Sequence, residues 1–149
     1  MTEGGQINIV LVYRPPSSTV ENIQKLCMVL RQLDQNSTVI GDFNLPGIDW
    51  KTMKSDAKGR ILAQTVEEEG LEQLVNFKTH IKGNILDLVL ANHDDIVSVE
   101  EIGRLGRSDH SIIKIEIQAV PLREEISENS RGWRRADWEG MKKLLSQNR

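Results

Sequence analysis

Between Gln6 and Tyr13 the chain carries an apolar, mostly β-branched run: Ile7, Ile9, Val10, Leu11 and Val12. Its apolar positions hardly alternate, which predicts a strand covered on both faces. Arg14-Pro15-Pro16-Ser17 ends it, because proline cannot donate to a β-ladder. Ser18-Thr19-Val20-Glu21 then has the form of a capping box opening a helix. Ile23, Leu26, Cys27, Leu30 and Leu33 supply that helix with an apolar stripe at 3.6-residue spacing. After Asn36 and Ser37, Thr38-Val39-Ile40 forms a short buried strand. Strand, helix and strand in this order are the building block of α/β architectures, and this unit restricts the fold more than any other stretch.

The rest of the chain continues the pattern more weakly. Leu45 to Trp50 reads as a loop. A second helix is predicted over 59–69, with Ile61, Leu62, Thr65 and Val66 inward and Gly70 as its stop. Leu71 to Asn76 suits a short strand, and Gly83-Asn84 a turn. Ile85 to Leu90 is an apolar strand interrupted by Asp87, and Val97 to Ile102 suits another strand. Ile113, Ile115 and Ile117 alternate with Lys114, Glu116 and Gln118, which marks a strand with one wet face, closed by Pro121. The 149 residues suffice for one domain with a core. Residues 123–135 are charged and polar and read as a linker. In 136–149, Asp137 is placed to cap a last helix bearing Trp138, Met141, Leu144 and Leu145.

Composition excludes some classes. The net charge of −3 and pI near 5.7 argue against a strongly basic nucleic-acid binder, although residues 131–149 are locally basic. No apolar run approaches the roughly 18 residues of a bilayer span, so no membrane association is expected. The N-terminus carries no secretory pattern. The single cysteine, Cys27, forms no intrachain disulfide and reads as a small buried hydrophobe. These features fit an intracellular location, nuclear and cytoplasmic alike.

Polar groups gather at the strand ends. Gly41-Asp42-Phe43-Asn44 follows the second strand, and Ser108-Asp109-His110 precedes the last. On an extended segment Asp42 and Asn44 point the same way. A carboxylate buried alone costs several kcal/mol, so Asp87 calls for a partner, and a histidine is a natural one. Tyr13 ends the first strand, where its hydroxyl can reach a loop. Acids, an amide and an imidazole so placed suit metal-assisted phosphodiester hydrolysis. The barrier to lower there is about 20 kcal/mol. A bland reading stands beside each assignment. Asp42 and Asn44 suit an Asx turn, Asp87 an exposed edge strand, and Asp109 a turn cap. His110 and Tyr13 suit structural roles, and His80 and His93 read as surface residues.

The four segments Val12-Tyr13-Arg14-Pro15-Pro16, Ile40-Gly41-Asp42-Phe43-Asn44, Leu86-Asp87-Leu88-Val89-Leu90 and Arg107-Ser108-Asp109-His110 resemble, in order, the motifs of the endonuclease/exonuclease/phosphatase superfamily. Within it, residues 42–50 and the tail from Trp133 to Trp138 are similar to non-LTR (long interspersed) retrotransposon endonucleases and their linker to reverse transcriptase. The resemblance implies a four-layer α/β sandwich, of which this chain would build a part, mainly one mixed sheet with flanking helices. It implies a C-terminal portion of such a domain over 1–122, the linker over 123–135, and over 136–149 the start of a helical segment leading toward reverse transcriptase.

The resemblance further implies that Tyr13 contacts the scissile phosphate, Asp42 activates water, Asn44 binds near phosphate and metal, Asp87 holds His110, and His110 acts on the phosphate. Asp109, with Asp42 and Asn44, would lie at the metal, Mg²⁺ or Mn²⁺, and Thr79 would be a further phosphate contact. The family's first half, which supplies an Asn and a metal-binding Glu, has no counterpart motif here; Glu3 and Asn8 stand outside its context. Three functions are therefore weighed: a Mg²⁺-dependent endonuclease that nicks DNA, a truncated and inactive relic, and a non-enzymatic protein-binding fragment. A complementary N-terminal half and the reverse transcriptase of a parent polyprotein are the implied protein partners.

Overall fold

A computed structural model describes residues 7–92 and 94–118. The predicted linker, the last helix, Pro121 and His93 lie outside these residues. The first strand, β1 (Asn8–Tyr13), runs parallel to β2 (Ser37–Asp42), and helix α1 (Val20–Leu30) crosses between them, as the apolar pattern predicts. The α1 cap sits one residue later than the capping box suggests: Thr19 accepts from the Asn22 backbone N–H. Ile23, Cys27 and Leu30 are its buried positions. Leu33 lies beyond the helix end and still packs against the core.

The segment after β2 is not all loop. Its residues β3 (Ile48–Asp49) pair with β4 (Lys54–Ser55) in a small ribbon. Helix α2 (Ala57–Glu68) starts two residues before the predicted limit, because the Asp56 carboxylate accepts from the Gly59 N–H as its N-cap. Leu62, Ala63, Thr65 and Val66 are buried, and Gly70, at φ +64°, allows the left-handed turn that stops the helix.

Strand β5 (Glu72–Gln73) pairs antiparallel with β6 (Asp87–Ala91), which pairs antiparallel with β2. The principal sheet is thus mixed, in the order β1-β2-β6-β5. Strands β7 (Ile96–Arg104) and β8 (Ser111–Ile117) form a hairpin with bulges at two points. The hairpin is tied to the segment that leads into β6, where Ser111 N donates to Thr79 O at 2.8 Å and Ile81 N donates to Asp109 O at 2.9 Å.

The core lies between one sheet face and the two helices. Val39, Leu88 and Leu90 from the sheet meet Ile23, Cys27, Leu30, Leu62 and Val66, with Val10 and Val12 packed against them. The other face of β1 corrects the expectation of a strand covered on both sides. Ile9, Leu11 and Tyr13 are 55%, 79% and 74% exposed. β1 therefore alternates strictly in burial although its residues do not alternate in polarity. The open face is the one on which the polar strand ends collect.

Candidate active site

Backbone register builds the site. Tyr13 lies opposite Asp42 across β1 and β2, and Asp42 lies opposite Asp87 across β2 and β6. Directly opposed residues in paired strands share a face, so these three side chains form a row across three strands. Burial pushes the Asp42 carboxyl pKa above its ordinary value, and the facing Asp87 charge adds to this, while His110 opposes it. Two carboxylates placed opposite one another are unfavourable on their own.

His110 supplies part of the compensation. Its Nδ1 lies 2.7 Å from Asp87 Oδ2, and both side chains are largely but not fully enclosed. Burial alone would lower the imidazole pKa. The hydrogen bond and charge of Asp87, with Asp42 and Asp109, outweigh burial and raise it above 6.5. The expected carboxylate–histidine pair is therefore present as geometry.

Asp42 and Asn44 adjoin for a reason other than an extended segment. β2 ends at Asp42, and Asn44 has φ +49°, a left-handed conformation that Asn tolerates. Asp42 Oδ1 accepts from the Asn44 N–H at 2.9 Å, and Asn44 Nδ2 donates to Asp42 Oδ2 at 3.4 Å. The Asx turn of the bland reading is thus formed, and it is also what brings the amide beside the acid. Gly41, at φ +147°, makes the approach to β1 possible: a Cβ there would stand 1.8 Å from the Val12 carbonyl oxygen.

Thr79 departs from its expected place. It is fully buried, and its Oγ1 accepts from Leu86 N at 2.9 Å and Asp87 N at 3.0 Å. The hydroxyl secures the start of β6 and hence the position of Asp87; it does not face outward as a direct phosphate contact would require. Tyr13, by contrast, is open to solvent.

Two residues escape sequence reasoning. Arg14 is buried, and its guanidinium donates to the carbonyls of Asn44 at 2.9 Å, Phe43 at 3.4 Å and Ser18 at 3.0 Å. It clamps the turn that carries Asp42 and Asn44. Its position just before the double proline was the available signal. His80, read as a surface residue, is only 9% exposed and lies 3.4 Å from Asp109 through Nε2. A lone histidine in a polar segment gave no signal of this.

Among the described residues, potential ligand atoms gather in two groups that share His110: Asp42 with Asp87, and Asp109 with His80. Asp109 is mostly exposed, and a bond from its own backbone N–H lowers its pKa, with His80 contributing despite opposing desolvation. A groove of about 800 Å³ is lined by Trp50, Lys51, Lys54, Phe77, Lys78 and Asn84, among others, and by no residue of the row.

This arrangement meets known proteins at two levels. Residues 7–114 match the endonuclease-reverse transcriptase family. The chain belongs to that family, within the endonuclease/exonuclease/phosphatase superfamily. A solved structure, the endonuclease domain of TRAS1, a telomere-specific non-LTR retrotransposon, shares the fold with a TM-score of 0.59 and 23% identity. That match covers 79% of this chain and 59% of the TRAS1 chain. No curated protein matches.

Proposed function

We propose that this chain carries the catalytic end of a Mg²⁺- or Mn²⁺-dependent phosphodiester hydrolase that nicks DNA. The observation that carries the reading is the Tyr13–Asp42–Asp87 row with His110 seated on Asp87 at 2.7 Å. Asp42, Asn44 and Asp109 offer the oxygen donors that hard divalent cations take. The crowding of Asp42 against Asp87, which helps raise the Asp42 pKa, fits a cation at this end of the sheet. A divalent ion bound there would supply positive charge against the negative charge developing on the phosphate.

The chain's own groups do the rest. Asp42 orients a water and takes its proton as the water oxygen attacks phosphorus. The ester P–O bond breaks, and the leaving oxygen gains a proton from solvent. His110, kept protonated further up the pH scale by Asp87, hydrogen-bonds a phosphate oxygen as its charge grows. Tyr13 and Asn44 hold the phosphate in line. Thr79 supports the row from beneath. The lysines and aromatic rings of the groove between the β3–β4 ribbon and residues 76–85 suit a DNA strand, with cations for phosphates and rings for bases. The family match extends the proposal to a parent polyprotein that also contains reverse transcriptase.

Nicking of supercoiled plasmid tests the reading. Relaxation that needs Mg²⁺ and is absent from an Asp42→Ala chain supports it. Equal relaxation by both chains would overturn it. A second reading, an inactive protein-binding fragment, draws on the exposed Ile9 and Leu11 side chains. A sharp melt and a defined dimer, together with no nicking, would favour it.

A further inference from the structure

Among the described residues, His80 is the one histidine that the hydrolysis scheme leaves unused. It sits at the start of the turn from Thr79 to Leu86, in an antiparallel bridge with His110. The two backbone bonds of that bridge flank the pair, Ile81 N to Asp109 O and Ser111 N to Thr79 O. Such a pair is of the closer, non-hydrogen-bonded kind, in which side chains touch. The two imidazole rings accordingly meet edge to face, with centroids 5.0 Å apart.

The hydrogen bonds of His80 assign its proton. Nδ1 accepts from the Lys82 backbone N–H at 3.2 Å. A neutral imidazole has one N–H, so a ring whose Nδ1 accepts carries its hydrogen on Nε2. That nitrogen lies 3.4 Å from Asp109 Oδ2. The alternative use of the cluster is a metal site, since ligand atoms of His80, Asp109 and His110 all lie within 4.8 Å of one another. Ligation by His80 Nε2 would need a lone pair there, and the Lys82 bond would have to break to provide one. The local turn thus favours a donor over a ligand.

Asp109 needs such a donor. Its side chain is 66% exposed. An exposed carboxylate samples several rotamers, and fixing one costs entropy that the restraint must supply. His80, enclosed and fixed at its other nitrogen, is suited to provide it.

We propose that His80 is a positioning residue for the Asp109-His110 dipeptide: its Nε2–H holds the Asp109 carboxylate, and its ring edge holds the His110 imidazole. The consequence for rate rests on the nuclease reading above; the geometry does not.

Two variants separate the roles. In His80→Asn the side-chain carbonyl can still accept from the Lys82 N–H, but the side chain is too short to reach Asp109. In His80→Gln the terminal amide can donate from about the position of Nε2. Long-range ¹H–¹⁵N spectra of the unaltered chain read the His80 tautomer, and three-bond couplings read the Asp109 rotamer in all three chains. The expected result is hydrogen on Nε2, one Asp109 rotamer in the unaltered chain and the Gln variant, and averaged rotamers in an Asn variant that circular dichroism shows to be folded. In single-turnover DNA cleavage the Asn variant should be slower by roughly 10- to 100-fold, with most of the rate restored by Gln. Hydrogen on Nδ1, or a single Asp109 rotamer in the Asn variant, would overturn the proposal. If the unaltered chain does not cleave DNA, the nuclease reading fails, while the tautomer and rotamer still decide the role of His80.

Discussion

Replacing Asp87 by Asn removes one negative charge from the β6 end of the row and leaves the side-chain volume nearly unchanged. Two interactions then change in opposite directions. His110 loses its charged acceptor at 2.7 Å. A hydrogen bond to a charged group contributes about 1.5–3 kcal/mol, and an exposed ion pair about 0–1. With side chains 27% and 20% exposed, water screens this pair in part, so the loss falls near 1–2 kcal/mol while His110 is charged. Asp42, in turn, loses a like charge directly across the strands, a relief of about 0.2–1 kcal/mol.

The pH dependence separates the two. His110 has its pKa raised above 6.5, so its stabilisation is fully present below that pH and is lost as pH rises through the folded-state value. Asp42 has its pKa raised above 3.8, so the unaltered fold loses stability as pH climbs from 3.8 through the folded-state value, and that loss persists at higher pH. Asp87→Asn should therefore destabilise at about pH 6 and be close to neutral, or slightly stabilising, at about pH 9. The assay is denaturant unfolding at both pH values, with the His110 ring titration followed by NMR. A chain of this size shifts its melt by roughly 2–4 °C per kcal/mol, within calorimetric reach. An equal loss at both pH values, or a His110 titration unmoved by the substitution, would refute the coupling.

Gly41→Ala should cost at least about 3 kcal/mol, because a Cβ would stand 1.8 Å from the Val12 carbonyl oxygen at a φ of +147°; a thermal melt within a few degrees of the unaltered chain would contradict this. Arg14→Ala should cost about 2–4 kcal/mol, since three carbonyl oxygens lose their donor. Arg14→Lys should recover only part of that loss, because an ammonium cannot span all three; chemical denaturation of both variants checks the order.

What could be read from the chain and what could not follow different physics. The strand-helix-strand unit was legible because its information is local: apolar spacing, a double proline and a helix cap within 35 residues of one another. The cap itself moved by one residue, from Ser18 to Thr19, since both are competent donors' partners in the same short segment. The open face of β1 was not legible, because Ile9 and Leu11 are as apolar as Val10 and Val12 and only the third dimension decides which pair is covered. Asp87 was legible as a residue in need of a partner, for an acid inside an apolar strand is costly alone. The roles of Arg14 and His80 depend on partners brought in from distant segments, the Phe43 and Asn44 carbonyls and the Asp109 carboxylate, and that of Thr79 on a turn that folds the Leu86 and Asp87 amides back onto it; none of these leaves a trace in residue type. The β3–β4 ribbon was invisible for a simpler reason: two-residue strands carry no periodicity.

The central claim is that the row of Asp42 and Asp87 with His110 performs phosphodiester hydrolysis. Its most direct test is single-turnover cleavage of an end-labelled DNA duplex in Mg²⁺ by the unaltered chain and by His110→Ala, with circular dichroism to verify both folds. The account predicts cleavage by the unaltered chain and a rate lower by about 10²- to 10⁴-fold in the variant. Equal rates from two folded chains would contradict it.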